Sequence, residues 1–164
     1  RLVFSGWPIY YTSVIQNKKQ SSWPMSYQYN IGCSLSNLKG IREFVRNILK
    51  DQHVPEIEMS AIVLALDEMC SNLMIHAHHC NPDHLLELHI DIPEHGKFIF
   101  EIIDDGSVFD INEFHEPELD NLIHQKRKGG LGIRLVKAIM DNVEYLKRGN
   151  KNVCRLTKQL NIGS

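Results

Sequence analysis

The chain has 164 residues, enough for one domain, and its 43% hydrophobic and 23% charged residues exclude wholesale disorder. Eighteen Lys and Arg against 20 Asp and Glu give a net charge of −2, without the strong basic excess of a domain built mainly to hold nucleic acid. No apolar run reaches the ~18 residues of a membrane-spanning helix, because Ser5, Gly6, Pro8, Thr12 and Ser13 interrupt Leu2–Ile15.

Residues 1–26 show no steady period and are expected to be an N-terminal appendage, with the domain proper over 27–160. Tyr27–Cys33 alternates weakly, as a strand does. Ser34–Lys50 spaces Leu38, Ile41, Phe44, Val45, Ile48 and Leu49 as a helix, with Ser34 or Ser36 available as cap. A second helix is expected from Pro55 or Glu56 to His79. Leu85–Ile92 and Lys97–Ile103 form a hairpin across Pro93-Glu94-His95-Gly96. Leu131–Met140 reads as a third helix, and Val143–Lys147 with Asn152–Thr157 as a final hairpin. Ser107–Lys128 is a 22-residue connection between an acidic strand end and a glycine cluster. Loops beyond ~12–15 residues in a compact domain are usually functional or disordered, and this one stands where a lid over a ligand would sit.

Cys33, Cys70, Cys80 and Cys154 lie far apart with no Cys-x-x-Cys. Without a convincing secretory segment they read as reduced, mostly buried thiols of a cytoplasmic protein. Cys70 is assigned to core packing.

Three motifs carry chemistry. In the second helix, Met59, Ile62, Leu66, Met69, Leu73 and Ala77 form the core stripe. Glu68 and Asn72, one turn apart, stack on a face about a quarter-turn away, and Ala61 and Ala65 on that side leave room over the helix. A carboxylate and an amide so placed suit a general base beside an oxygen ligand for hydrated Mg²⁺, although such a pair alone is more often a solvated face. Asp104-Asp105-Gly106 ends a strand. Asp104 can accept a hydrogen bond from an exocyclic amine while Gly106 lets a flat ring approach, but an ordinary turn has the same residues. Lys128-Gly129-Gly130-Leu131-Gly132-Ile133 enters a helix, where exposed amides and the helix dipole favour phosphate. It lacks the Gly-Lys-Ser/Thr of a Walker A loop and the third glycine of a dinucleotide fingerprint.

Together, Glu68-x-x-x-Asn72, Asp104-x-Gly106 and Gly130-x-Gly132 resemble the N, G1 and G2 boxes of the histidine-kinase-like (Bergerat) ATPases. The wording is similar to one branch, the anti-sigma-factor serine/threonine kinases. It includes Leu66-Asp67-Glu68-x-x-Ser71-Asn72, His76-Ala77, Phe109-Asp110, Gly132-Ile133-x-Leu135-Val136 and Met140-Asp141-x-Val143-Glu144-Tyr145. The resemblance covers about residues 27–160. It implies an α+β fold, a two-layer sandwich with a mixed, mostly antiparallel sheet and helices packed on one face. ATP would lie between the helices and a lid over about 107–128. Asp104 would take the adenine amine, Gly106 would admit the ring, and Asn72 would ligate Mg²⁺. Glu68 would be the catalytic base, and Lys128, Gly129, Gly130, Leu131 and Gly132 would surround the phosphates. The implied partners are an anti-sigma-factor antagonist, phosphorylated on Ser or Thr, and a sequestered sigma factor. A second copy of the chain is a further candidate; nucleic acid and membrane are not expected. Asn152-Val153 stands where many relatives have a Thr supporting the adenine, and Asn112–Gln125 at the lid tip matches no part of the pattern.

The competing reading is a nucleotide-dependent binding module without turnover, or the ATPase end of a larger signalling protein such as a phosphatase–kinase fusion. A sensor histidine kinase is disfavoured, since nothing upstream supplies a dimerisation helix pair with a phospho-accepting His. His76, His78, His79, Cys80 and His84 invite a zinc reading, but a polar helix end running into Asn81-Pro82 accounts for them more simply. Lys126-Arg127-Lys128 reads equally as a solvated loop end or a γ-phosphate clamp.

Overall fold

A computed structural model describes residues 23–105 and 129–163, with backbone only at 129–131. Residues 1–22, most of the expected appendage, and the expected lid Ser107–Lys128 lie outside the described residues. Strands β1 (Met25–Gly32), β2 (Leu85–Glu94), β3 (Lys97–Asp104), β4 (Asn142–Arg148) and β5 (Lys151–Gln159) form one sheet in the order β1-β2-β3-β5-β4. Every strand pair among the described residues is antiparallel. Among the described residues, helices α1 (Leu38–Asp51), α2 (Glu56–Asn72) and α3 (Gly129–Ile139) accompany the sheet in an α+β architecture. No helix among the described residues is long and apolar enough to cross a membrane.

Period-two alternation decides the faces. Ile31, Leu86, Leu88, Ile90, Ile92, Phe98, Phe100, Ile102, Cys154 and Leu156 are buried in one core with Ile41, Val45, Leu49, Ile62, Leu66, Met69 and Val136 from the helices. Each such side chain contributes about 1.5–3 kcal/mol through removal from water. The opposite face carries Glu87, His89, Glu101, Glu144, Arg148 and Arg155, as suits an antiparallel sheet with one wet side. There Glu101 accepts hydrogen bonds from Arg148 Nη2 at 2.8 Å and from Arg155 Nε at 3.2 Å and Nη2 at 3.1 Å.

Several boundaries differ from the sequence reading. Met25 and Ser26 belong to β1, so the sheet begins inside the expected appendage. Neither Ser34 nor Ser36 caps α1. Their hydroxyls face each other at 2.9 Å, and a short 3₁₀ turn, Leu35–Asn37, precedes the helix. α3 starts at Gly129 itself, before the expected Leu131. Ala65 does not leave room over α2, because it is fully buried in the core.

The largest departure follows Asn72. α2 does not run on to His79; Leu73–Ala77 forms a π-helical turn, closed by His78 N–H on Leu73 O at 3.1 Å. On an ideal helix at ~100° per residue, His78 would fall roughly 130° from the centre of the buried stripe. The extra residue in the wide turn moves the register by about one position and brings it to the core side.

The topology also sets where the helices point. β3 and β4 run parallel on either side of β5, so they need a crossover and not a hairpin. α3 makes it. Lys158 Nζ donates to Ile139 O at 2.7 Å and Asp141 N–H donates to Thr157 O at 2.9 Å, which fixes the carboxyl end of α3 beside the Lys97 end of β3. Its amino end is thereby aimed toward the Asp104 end.

Candidate functional site

α2 supplies the first two side chains. Glu68 is half-buried and Asn72, one turn on, is buried at 7% exposure. The Asn72 Nδ2 has no hydrogen-bond partner among the described residues. An unpaired buried amide costs roughly 1–3 kcal/mol, so a ligand or water that accepted from it would recover that cost.

α3 packs on α2, and Gly132 stands against the Glu68 and Asn72 side chains. A β-carbon built at Gly132 would stand 2.5 Å from Glu68 Oε2, 3.4 Å from Glu68 Cδ and 3.6 Å from Asn72 Nδ2. Any side chain at this position would displace the Glu68 carboxylate, while Asn72 would remain in ordinary contact. The first four N–H groups of an α-helix have no partner within it. In α3 these belong to Gly129, Gly130, Leu131 and Gly132, so the anion-seeking end of the helix stands over Glu68 and Asn72. Gly106 and Lys128 lie outside the described residues.

Asp104 ends β3 and is 4% exposed. Its register partner on β5 is Asn152, whose Nδ2 donates to Asp104 Oδ1 at 3.1 Å. Of Asn152 and Val153, it is Asn152 that stands directly opposite Asp104. Asp104 also faces His78, with Nε2 and Oδ1 3.5 Å apart. His78 is 1% exposed, which corrects its reading as part of a polar helix end. The sequence held no sign of this, because nothing in the side-chain pattern marks the extra residue of the π turn.

The zinc alternative finds no group of three or more His, Cys, Asp or Glu side chains among the described residues that is placed to hold a metal ion. Cys33, Cys70 and Cys154 are buried and Cys80 is exposed, all as free thiols. Burial pushes the Cys33 thiol up to about 11 and the Cys154 thiol up to about 12, and raises Cys70 as well. None of the three is a thiolate nucleophile at neutral pH.

The donor set fits a magnesium nucleotide. An amide one turn from a carboxylate offers oxygen donors of the kind Mg²⁺ takes, and the unpaired Asn72 amide lies beneath a helix start suited to phosphate. A buried carboxylate at a strand end suits an exocyclic amine.

Comparisons with known proteins bear on the fold and the family. A serine/threonine-protein kinase of Bordetella bronchiseptica, BtrW, is 27% identical over 97 residues, which is 58% of this chain and 67% of that protein. Among solved structures, the SiaB–SiaC complex of Pseudomonas aeruginosa matches with a TM-score of 0.59 and 16% identity, over 80% of this chain and 88% of the other. The RsbU and RsbW domains of a Mycobacterium tuberculosis protein match with a TM-score of 0.57 and 12% identity. That match spans 82% of this chain but 32% of the longer one. At these identities the two structures speak for the fold alone. The model of the histidine kinase-like ATPase domain matches residues 33–158, and the chain belongs to that family.

Proposed function

We propose that this chain binds ATP with Mg²⁺ and transfers the γ-phosphoryl group to a serine or threonine of a small regulatory protein. The partner would be an anti-sigma-factor antagonist, and a sigma factor would be the protein held when the antagonist is phosphorylated. The meeting of Glu68, Asn72 and Gly132 carries this reading. It puts a candidate base, a candidate metal ligand and a phosphate-binding helix start within one side chain's reach of each other. The kinase name of the Bordetella relative supports the choice of chemistry.

Asp104, held by Asn152, accepts the adenine amine and disfavours guanine, whose carbonyl would meet a carboxylate. The α3 amides would hold phosphate oxygens and Asn72 would hold Mg²⁺, which would supply positive charge against the phosphates. Glu68 takes the proton of the attacking hydroxyl as its oxygen bonds to the γ-phosphorus and the bond to the leaving ADP oxygen breaks. General-base assistance of this kind contributes ~10²–10⁴ in rate.

The test combines calorimetry with labelled-ATP transfer to a partner recovered from the source cell. Glu68→Gln should keep ATP affinity and lose transfer by about 10²–10⁴-fold. Asn72→Ala should damage both. A wild type that binds ATP and partner yet transfers nothing would replace the enzyme reading with the binding-module reading. A wild type that takes up no ATP would end both.

A further inference from the structure

The nucleotide reading leaves His78 unused. Its ring is buried beside Asp104, and Nε2 has no hydrogen bond at the present geometry although Asp104 Oδ1 is 3.5 Å away. On its other side, His78 Nδ1 lies 3.1 Å from His84 Nδ1. Two facing ring nitrogens need one donor and one acceptor, so the tautomers of the pair are tied together.

The surrounding loop fixes which is which. Asp83 N–H donates to Asn81 Oδ1 at 3.0 Å, so the Asn81 amide has its oxygen toward Asp83 and its Nδ2 toward His84 Nε2, 3.4 Å away. His84 Nε2 is then the acceptor and His84 Nδ1 carries the proton. His78 Nδ1 must accept that proton's hydrogen bond, which leaves the His78 proton on Nε2, facing a carboxylate that accepts only. The chain of donors runs one way, from the Asp83 amide through Asn81 and His84 to His78, whose Nε2 faces Asp104 Oδ1 at 3.5 Å without yet bonding to it.

We propose that His78 is a positioning residue for base recognition: with Asn152 it converges on Asp104 Oδ1 and fixes the plane of the carboxylate that receives a purine amine. The proposal rests on the ATP reading. His84, on the exposed side, sets the tautomer of His78 and does not itself reach the base.

The experiment titrates the full chain with ATP and with GTP and reads the histidine tautomers by proton–nitrogen NMR without nucleotide. His78→Phe keeps a ring but removes the donor; ATP affinity should fall about tenfold and the preference over GTP should narrow by a similar factor. His78→Gln places an amide nitrogen at about the reach of Nε2 and should restore most of the loss. His84→Ala, on the exposed side of the pair, should cost about threefold and serves if His78→Phe does not fold. Wild type should show the proton on Nε2 of His78 and on Nδ1 of His84. Equal ATP affinity in wild type, His78→Phe and His84→Ala, or a proton on His78 Nδ1, would overturn the proposal while leaving the ATP reading in place. A wild type blind to ATP overturns that reading itself, whatever the tautomers show.

Discussion

Gly132 and Glu68 stand so close that a methyl group on the one would press on the carboxylate of the other, 2.5 Å from Oε2. The contact explains a glycine inside the first turn of α3, where alanine would favour the helix by up to ~1 kcal/mol. Gly132→Ala should therefore leave the melting temperature unchanged or slightly higher, since Glu68 is half-buried and can swing aside. Phosphoryl transfer should fall at least tenfold, because a base displaced by about an ångström loses its alignment. Thermal unfolding and transfer assays on the same preparation separate the two effects. A variant that unfolds early, or one that transfers normally, contradicts the assignment.

Asn72 should show the same balance of stability and function. Its Nδ2 is buried without a partner, so replacing it with leucine removes an unsatisfied group from the edge of the core. We expect Asn72→Leu to be neutral or stabilising by ~1 kcal/mol in urea unfolding while abolishing magnesium-dependent ATP binding. Marked destabilisation would mean that the amide serves the fold.

Asn152→Ala should weaken ATP binding without unfolding the protein, because it removes the 3.1 Å hydrogen bond that Asp104 receives from β5. A bond to a charged group contributes about 1.5–3 kcal/mol, which bounds the loss. Calorimetry reads it directly, and unchanged affinity would remove Asn152 from the site.

Acid should weaken the network on the other face of the sheet. Burial pushes the Glu101 carboxyl up, but the hydrogen bonds from Arg148 and Arg155 outweigh it and hold the group below its ordinary value of 4.5. The unfolded chain therefore binds more protons than the folded one as pH falls through this range. The contribution of the network is complete above the unfolded value and drains away below it. In Glu101→Gln, the stability difference from wild type should be largest near neutrality and shrink below about pH 4. Denaturant midpoints across pH measure this; a difference that grows on acidification would be incompatible with the network.

The sequence determined by itself whatever depends on periodicity and on contiguous motifs. Alternation in Leu86–Ile92 and Phe98–Ile102 reports which face of a strand is buried, and the stripe from Met59 to Met69 reports the core side of α2. Glu68 and Asn72 share a helical face whatever the rest of the chain does, and the helix entry at Gly129–Gly132 is likewise local. Their meeting was not local. Only the crossover of α3 above β5, with its far end tied by Lys158, sets Gly132 on the Glu68 carboxylate. The register of β3 on β5 likewise decided that Asn152, and not Val153, faces Asp104, since a slip of one residue would turn it to the opposite face. The π turn after Asn72 left no mark in the pattern of side chains, because one extra residue changes direction and not composition. That single residue carries His78 out of the polar helix end read from the sequence and into the core beside Asp104.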